Sequence, residues 1–267
     1  MTKNNITKEY DLYGDPILFR TNDEFGDILV IDRSPYRVLT FDSNFDQSSV
    51  DVRNPLILVH EYTRAMMLAL AFIKPRHAVI LGLGGGCLLR SLHNLLPQCE
   101  VHAIELRQRV YEVASEFFGI PVNKNINITI SDAEYQLNNI NAASTDIIFA
   151  DMFSAYCMNP LQMQQNFVTQ CHRVLSKKGW LVINYHDIPD LNTTFFKFMC
   201  SIFTDVFIYK TVANNNHVVF ASKEPINALH DFKYSIAELE RKLGSKSINF
   251  FNRLIRLNSV GRFRKST

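Results

Sequence analysis

The sequence predicts an α/β protein: a small antiparallel β unit followed by a seven-stranded sheet, parallel in its core and ended by an antiparallel hairpin. Three observations predict it. From residue 77 onward, short continuous apolar runs alternate with stretches of helical period, the pattern of a parallel sheet covered on both faces. Residues 10–50 carry β-favouring runs split by turn residues, and residues 206–222 hold two apolar runs joined by an asparagine-rich turn. With 47% apolar and 20% charged residues in 267, the chain can build one large core, and disordered, collagen-like and coiled-coil classes are excluded.

In order, the first β unit is made of Ile17–Phe19, Asp27–Asp32 and Tyr36–Phe41, separated by turn material at Asn22–Gly26 and Ser34–Pro35. Asn54–Pro55 reads as a helix start, Asn as cap and Pro as first helical residue. The apolar positions Leu58, Tyr62, Ala65, Met66, Ala69 and Leu70 carry that helix to about Ile73, before Pro75. The parallel strands are His77–Leu81, Val101–Glu105, Ile126–Ile130, Asp146–Ala150 and Gly179–Asn184. Helices are expected over roughly Gly86–Leu96, Arg107–Phe118, Ala133–Asn139, Pro160–Ser176 and Leu191–Phe203. Val206–Thr211 and His217–Ser222 form the closing hairpin. The expected units are residues 1–53, 54–225 and a basic helical extension over 226–267.

Net charge is only +2, but it is unevenly spread. Residues 231–267 hold nine Lys/Arg against three acidic residues, a segment charge of +6 that leaves −4 for residues 1–230. Ser235 with Glu238 resembles a capping box, Gly244 stops that helix, and Ile248, Phe251, Leu254 and Ile255 mark an apolar face on the next. The segment is expected to pack on the body or on a partner subunit with its charges solvated, and nucleic acid is not expected as a partner. Five scattered cysteines with no CxxC pair suit reduced thiols, and no His/Cys cluster has metal-ligand spacing, so no metal is expected. The first residues lack the apolar core of a signal peptide and no run approaches the about 18 residues that span a bilayer, so a cytoplasmic protein is expected.

The sharpest local signal is GLGGG, Gly82 to Gly86, between an apolar strand and a helix. Glycines there let the backbone turn tightly and approach a ligand that meets free helix-start amides. A dinucleotide fingerprint would place glycine at Cys87; Gly82-x-Gly84-x-Gly86 is the spacing of AdoMet-type nucleoside sites, the alternative being a plain strand-to-helix turn. Glu105 ends the second parallel strand, where a carboxylate can accept both ribose hydroxyls or else pair with Arg107 or Arg109. Asp132, followed by small Ala133, ends the third; it can take the exocyclic amine of adenine or cap a helix. Asp151 ends the fourth, beside the reactive end of such a ligand, and is a candidate general base toward an amine, or a loop cap. Asp187 and Asp190 follow the fifth strand as loop carboxylates, and Cys87 at a helix start reads as a packing thiol.

In order and spacing these motifs, with a helix carrying His60–Glu61, make residues 27–222 resemble spermidine synthases and their bacterial spermidine-synthase-like relatives. The resemblance implies a class I AdoMet-methyltransferase-like, Rossmann-like sheet. It further implies decarboxylated AdoMet, or AdoMet, held by Gly82, Gly84, Gly85, Gly86, Glu105, Asp132 and Ala133, with methylthioadenosine as product and Asp151 as proton acceptor in aminopropyl transfer. His60, Glu61 and Ser154 would face the amine; on their own, His60 and Glu61 also fit a satisfied histidine and a surface Glu61–Arg64 pair. Two positions depart from the family pattern: Gly85 and Ser154 stand where its enzymes carry aspartates toward the amine. Since each buried ammonium needs compensation, these losses weaken the case for a multiply charged polyamine.

A methyltransferase of the same fold and a non-catalytic nucleoside- or polyamine-binding protein are the alternatives. Ile80, two residues before the first loop glycine, where methyltransferases usually carry an acid, favours the first reading over methyl transfer. The expected partner is a small-molecule amine, with a homodimer as an open option and no membrane.

Overall fold

The computed structural model describes residues 9–41, 45–186, 193–212, 215–244, 250–257 and 264–265. Two sheets organise it. The first is antiparallel, β1 (Ile17–Asp23), β2 (Gly26–Arg33), β3 (Tyr36–Phe41) and β4 (Asp46–Asp51), in that spatial order. The second has β5 (His77–Leu81), β6 (Glu100–Glu105), β7 (Ile126–Ile130), β8 (Thr145–Ala150) and β9 (Leu175–His186) running parallel, and β10 (Asp205–Lys210) and β11 (Asn216–Ser222) as the antiparallel hairpin. These seven follow the order β7-β6-β5-β8-β9-β11-β10. The order reverses at β5/β8, so the strand ends there open a crevice.

Both faces of the inner strands are buried, with strict alternation. Ala78 and Ile80, Ile147 and Phe149, Trp180 and Val182, Phe207 and Tyr209 join one core; Val79 and Leu81, Ile148 and Ala150, Leu181 and Ile183, Val206 and Ile208 join the other. A period of two with both phases apolar is why these strands read as continuous apolar runs. The helices are α1 (Glu61–Met67), α2 (Cys87–Leu95), α3 (Gln108–Phe117), α4 (Ala133–Asn139), α5 (Gln165–Val174), α6 (Thr194–Ile202), α7 (Lys233–Lys242) and α8 (Phe250–Arg253). The small sheet packs Ile28, Val30, Leu39, Phe41 and Val50 on Val110, Val113 and Phe118 around α3.

Four differences from the sequence reading have physical causes. The first helix starts at Glu61 with His60 before it, not at Asn54: Asn54–Ile57 forms a turn, and Leu58 makes a β-bridge to Val50 that buries it. Strand β4 lies in DQSSVD, too polar to read as a strand, yet Ser48 and Ser49 are buried. Ser235 does not cap α7, which begins two residues earlier after Phe232, although Gly244, at φ +71°, does end it. The C-terminal segment is not helical throughout. It adds β12 (Leu254–Leu257) beside β10 and β13 (Arg264–Lys265) beside β12, giving nine strands among the described residues.

Two basic residues of that segment are spent internally. Arg253 meets Glu61 at 3.0 Å and lies 4.6 Å over the Tyr209 ring; Arg256 meets Asp205 at 3.1 Å and covers Phe207. Ile248, Lys246 and Arg262 lie outside the described residues, as do Asp187 and Asp190. Among the described residues all five cysteines are free thiols, and no helix is long and apolar enough to cross a membrane.

Candidate active site

A cleft of about 1340 Å³ opens at the carboxyl ends of β5, β6, β7, β8 and β9, walled on one side by the small sheet. Its floor is the turn after β5. Gly82 has φ +88°, and a Cβ there would stand 2.4 Å from the Asp151 backbone oxygen, so only glycine lets β5 and β8 emerge side by side. The Gly82 amide donates to Ile104, and the Asp151 amide donates to Leu81, which holds all three strand ends in register. Gly86 has φ +69° and hands the chain into α2; a Cβ there would fall 2.0 Å from Ile120.

Glu105 reaches back under this turn. One carboxylate oxygen accepts the Leu83 amide at 2.9 Å and the Gly84 amide at 3.4 Å; the other accepts the Arg107 amide at 3.0 Å. Burial pushes the Glu105 carboxyl up while those amides pull it down. The alternative, a side-chain ion pair with Arg107 or Arg109, is not what holds Glu105. The Arg107 guanidinium is engaged by Asp23 at 2.7 and 3.0 Å, and Arg109 pairs with Glu112. Asp132 caps α4 by accepting the Tyr135 amide at 2.9 Å, and with Ala133 it lines the cleft.

Asp151 lies at the opposite end of the lining. Asn184 donates to its Oδ1 at 2.9 Å, and the Tyr62 hydroxyl also hydrogen-bonds it. Burial pushes the Asp151 carboxyl up to about 6, with Asn184 and Tyr62 holding it from rising further. Tyr62 is itself raised well above its ordinary value by burial, so it stays a protonated donor. Asn216 donates to Asn184 Oδ1 at 2.9 Å. Gln162, fully buried, accepts the Met152 amide at 3.1 Å and donates to the Asn184 carbonyl at 3.2 Å. A carboxylate with a raised pKa in a cleft, fed by a fixed donor network, is suited to taking a proton near neutral pH.

Of the sequence-predicted residues, Gly82, Gly84, Glu105, Asp132, Ala133, Asp151, Ser154 and His60 come together in this cleft. His60 stacks on Tyr62, with ring centroids 5.6 Å apart, and burial lowers its pKa. Gly85, Gly86 and Glu61 lie outside the lining. Glu61 opens α1, whereas His60 precedes it in an extended conformation, and the Glu61 carboxylate is held by other partners. It accepts the Tyr209 hydroxyl at 2.6 Å, the Val212 amide at 2.8 Å and Arg253, and Arg64, the alternative partner, donates to the Leu58 and Val59 carbonyls.

Gly85 has its own explanation. Its amide donates to Ser48 Oγ at 2.9 Å, and a Cβ would come within 2.8 Å of Ser48 Cβ, so β4 occupies the room an aspartate side chain would need. Ser154 is exposed, with its hydroxyl donating to the Cys157 carbonyl. Cys87 is a buried thiol raised by burial, as a packing residue would be. Sequence reasoning missed Tyr62 as a site residue, along with Asn184, Asn216, Gln162 and Ser48. For Asn184 a signal existed, a polar residue closing an apolar strand beside Asp151's strand; the others depend on tertiary contacts.

Known proteins share this fold. A family model described as a methyltransferase domain matches residues 79–183. The chain is 28% identical over 226 residues to the polyamine aminopropyltransferase of Chromobacterium violaceum, covering 83% of this chain and 87% of that protein. A probable spermidine synthase from Corynebacterium glutamicum superposes with a TM-score of 0.72 at 20% identity, covering 86% of this chain and 95% of that one. Human methyltransferase-like protein 13, solved in complex with SAH, superposes with a TM-score of 0.62 at 21% identity, covering 70% and 93%.

Proposed function

We propose that this chain, a spermidine-synthase-like member of the AdoMet-methyltransferase superfamily and a transferase, moves an aminopropyl group from decarboxylated AdoMet to an amine. The observation that carries the reading is the division of one cleft. Gly82–Gly84, Glu105 and Asp132–Ala133 gather at the ends of β5, β6 and β7, and Asp151 stands at the end of β8. Glu105 and Asp132 would receive the ribose hydroxyls and the adenine amine. Their carboxylates are already placed by backbone amides, so little reorganisation is needed on binding.

Bound there, the sulfonium supplies an electrophilic methylene carbon. The acceptor nitrogen attacks that carbon, the carbon–sulfur bond breaks, and its electron pair goes to sulfur, leaving neutral methylthioadenosine. Asp151 takes the proton that the nitrogen sheds. A carboxyl near 6 is mostly ionised at neutral pH and basic enough to accept it. The reaction separates no new charge at sulfur, so orientation of donor and acceptor carries most of the rate.

Methyl transfer from AdoMet to an amine is the second reading, supported by the methyltransferase family model over residues 79–183. Donor choice separates the two. Calorimetry with decarboxylated AdoMet, AdoMet and methylthioadenosine is expected to show preference for decarboxylated AdoMet and binding of methylthioadenosine. A clear preference for AdoMet would move the assignment to methyl transfer, and failure of all three to bind folded protein would remove the nucleoside site.

A further inference from the structure

We infer that Asn184 and Asn216 are positioning residues for Asp151, a two-amide relay that presents a fixed N–H donor to its carboxylate. The inference rests on Asp151 being the proton acceptor of the proposed transfer. An ionised carboxylate can only accept, so Asn184 turns Nδ2 toward Asp151 Oδ1, at 2.9 Å. That choice leaves Asn184 Oδ1 pointing away, where Asn216 Nδ2 meets it at 2.9 Å. Asn184 is 1% exposed and Asn216 7%, so little solvent reaches a reversed amide to satisfy it.

Sheet register explains how the two amides meet. Asn184 of β9 pairs with Val218 of β11, and Asn216 lies two residues along the same strand, on the same face as its diagonal neighbour. The Asn184 backbone is held as well. Its carbonyl accepts Gln162 Nε2, and the other end of that amide must be Oε1, because it accepts the Met152 N–H, which can only donate. The base, the residue after it and β9 are therefore joined in one circuit.

Among the described residues, the other titratable groups that interact with Asp151 are neutral. Tyr62 comes from α1 and Cys87 from the start of α2, both raised by burial and hence protonated near neutral pH. With no cation among these contacts, the Asn184 donor and the Tyr62 hydroxyl are what oppose the burial of the Asp151 charge. Reversing the amide would replace an attractive N–H with a repulsive carbonyl.

Asn216→Asp makes that reversal at nearly unchanged volume and without touching Asp151. A carboxylate at 216 needs a donor, so the Asn184 amide turns and offers its oxygen to Asp151. Asn216→Ala, which only frees the amide, is the second variant should the first fold poorly. The measurement is the carboxyl titration of Asp151 by infrared difference spectroscopy, assigned through its loss in Asp151→Asn, alongside the pH profile of kcat.

Asn216→Asp is expected to move the titration and the acid limb of kcat upward together by about one unit. The rate should fall about tenfold below the limb and stay within about twofold at high pH. Asn216→Ala should move both in the same direction by less. A titration that stays in place in both folded variants, or a loss of rate equal at every pH, overturns the relay. A titration that moves while the rate profile does not supports the relay and removes Asp151 from the proton transfer, which separates the two claims.

Discussion

The two ends of the cleft are built in different ways. At the proposed nucleoside end the partners of each carboxylate are backbone amides a few residues from a strand end: Leu83, Gly84 and Arg107 for Glu105, and Tyr135 for Asp132. At the proposed acceptor end Asp151 depends on side chains from α1, β9 and β11, 33 residues away in the case of Asn184. Local backbone geometry makes the first end, and convergence of distant strands makes the second. The first should tolerate sequence change outside its own loop, whereas the second should be sensitive to remote polar residues.

The largest effect is expected where the ends meet. Gly82→Ala drives a Cβ to 2.4 Å from the Asp151 carbonyl at a φ of +88°. It should cost about 3–5 kcal/mol in denaturant unfolding and abolish both nucleoside binding and turnover. A folded Gly82→Ala protein of wild-type stability would mean the strand ends are not held as close as the fold requires.

Glu105→Ala should damage the nucleoside end alone. It removes the proposed ribose contact and strands the Leu83 and Arg107 amides, so methylthioadenosine affinity is expected to fall by about 100-fold or more by calorimetry. The Asp151 titration should stay where it is. A shift there would show that the two ends are coupled.

Asp151→Asn should have a smaller effect, of opposite sign, on stability. A carboxylate whose folded pKa is raised from 3.8 to about 6 opposes folding once ionised. The sign follows: below about pH 4 the acid is neutral in both states, and its cost grows through pH 4–6 and is complete above. The variant is therefore expected to be more stable by about 1–3 kcal/mol at pH 8, with the gap closing as pH falls toward 4. Thermal melts across that range check it; an equal or lower melting temperature at pH 8 would mean that the Asp151 charge is well solvated.

The contrast also explains what could be read from sequence. The inner parallel strands were legible because β5, β8 and β9 are apolar in both phases, and Gly82, Glu105, Asp132 and Asp151 were legible because strand ends are where such a sheet binds ligands. Strand β4 was hidden by its serines, which are buried because Ser48 accepts the Gly85 amide and Ser49 donates to Asp46. Glu61 was misplaced since its partners Tyr209 and Arg253 are 148 and 192 residues further along the chain. Asn216 reads as part of an asparagine-rich turn, yet it begins β11 and reaches the base through Asn184. The resemblance expects a carboxylate at position 85, and the structure explains its absence by the Ser48 side chain in that space.

The most direct test of the account is turnover of decarboxylated AdoMet with a panel of amines by wild-type protein and Asp151→Asn, each with methylthioadenosine affinity measured in parallel. The prediction is a loss of about 100-fold or more in kcat for Asp151→Asn, at least the worth of a general base, with nucleoside affinity unchanged. Equal turnover by the two proteins would contradict it.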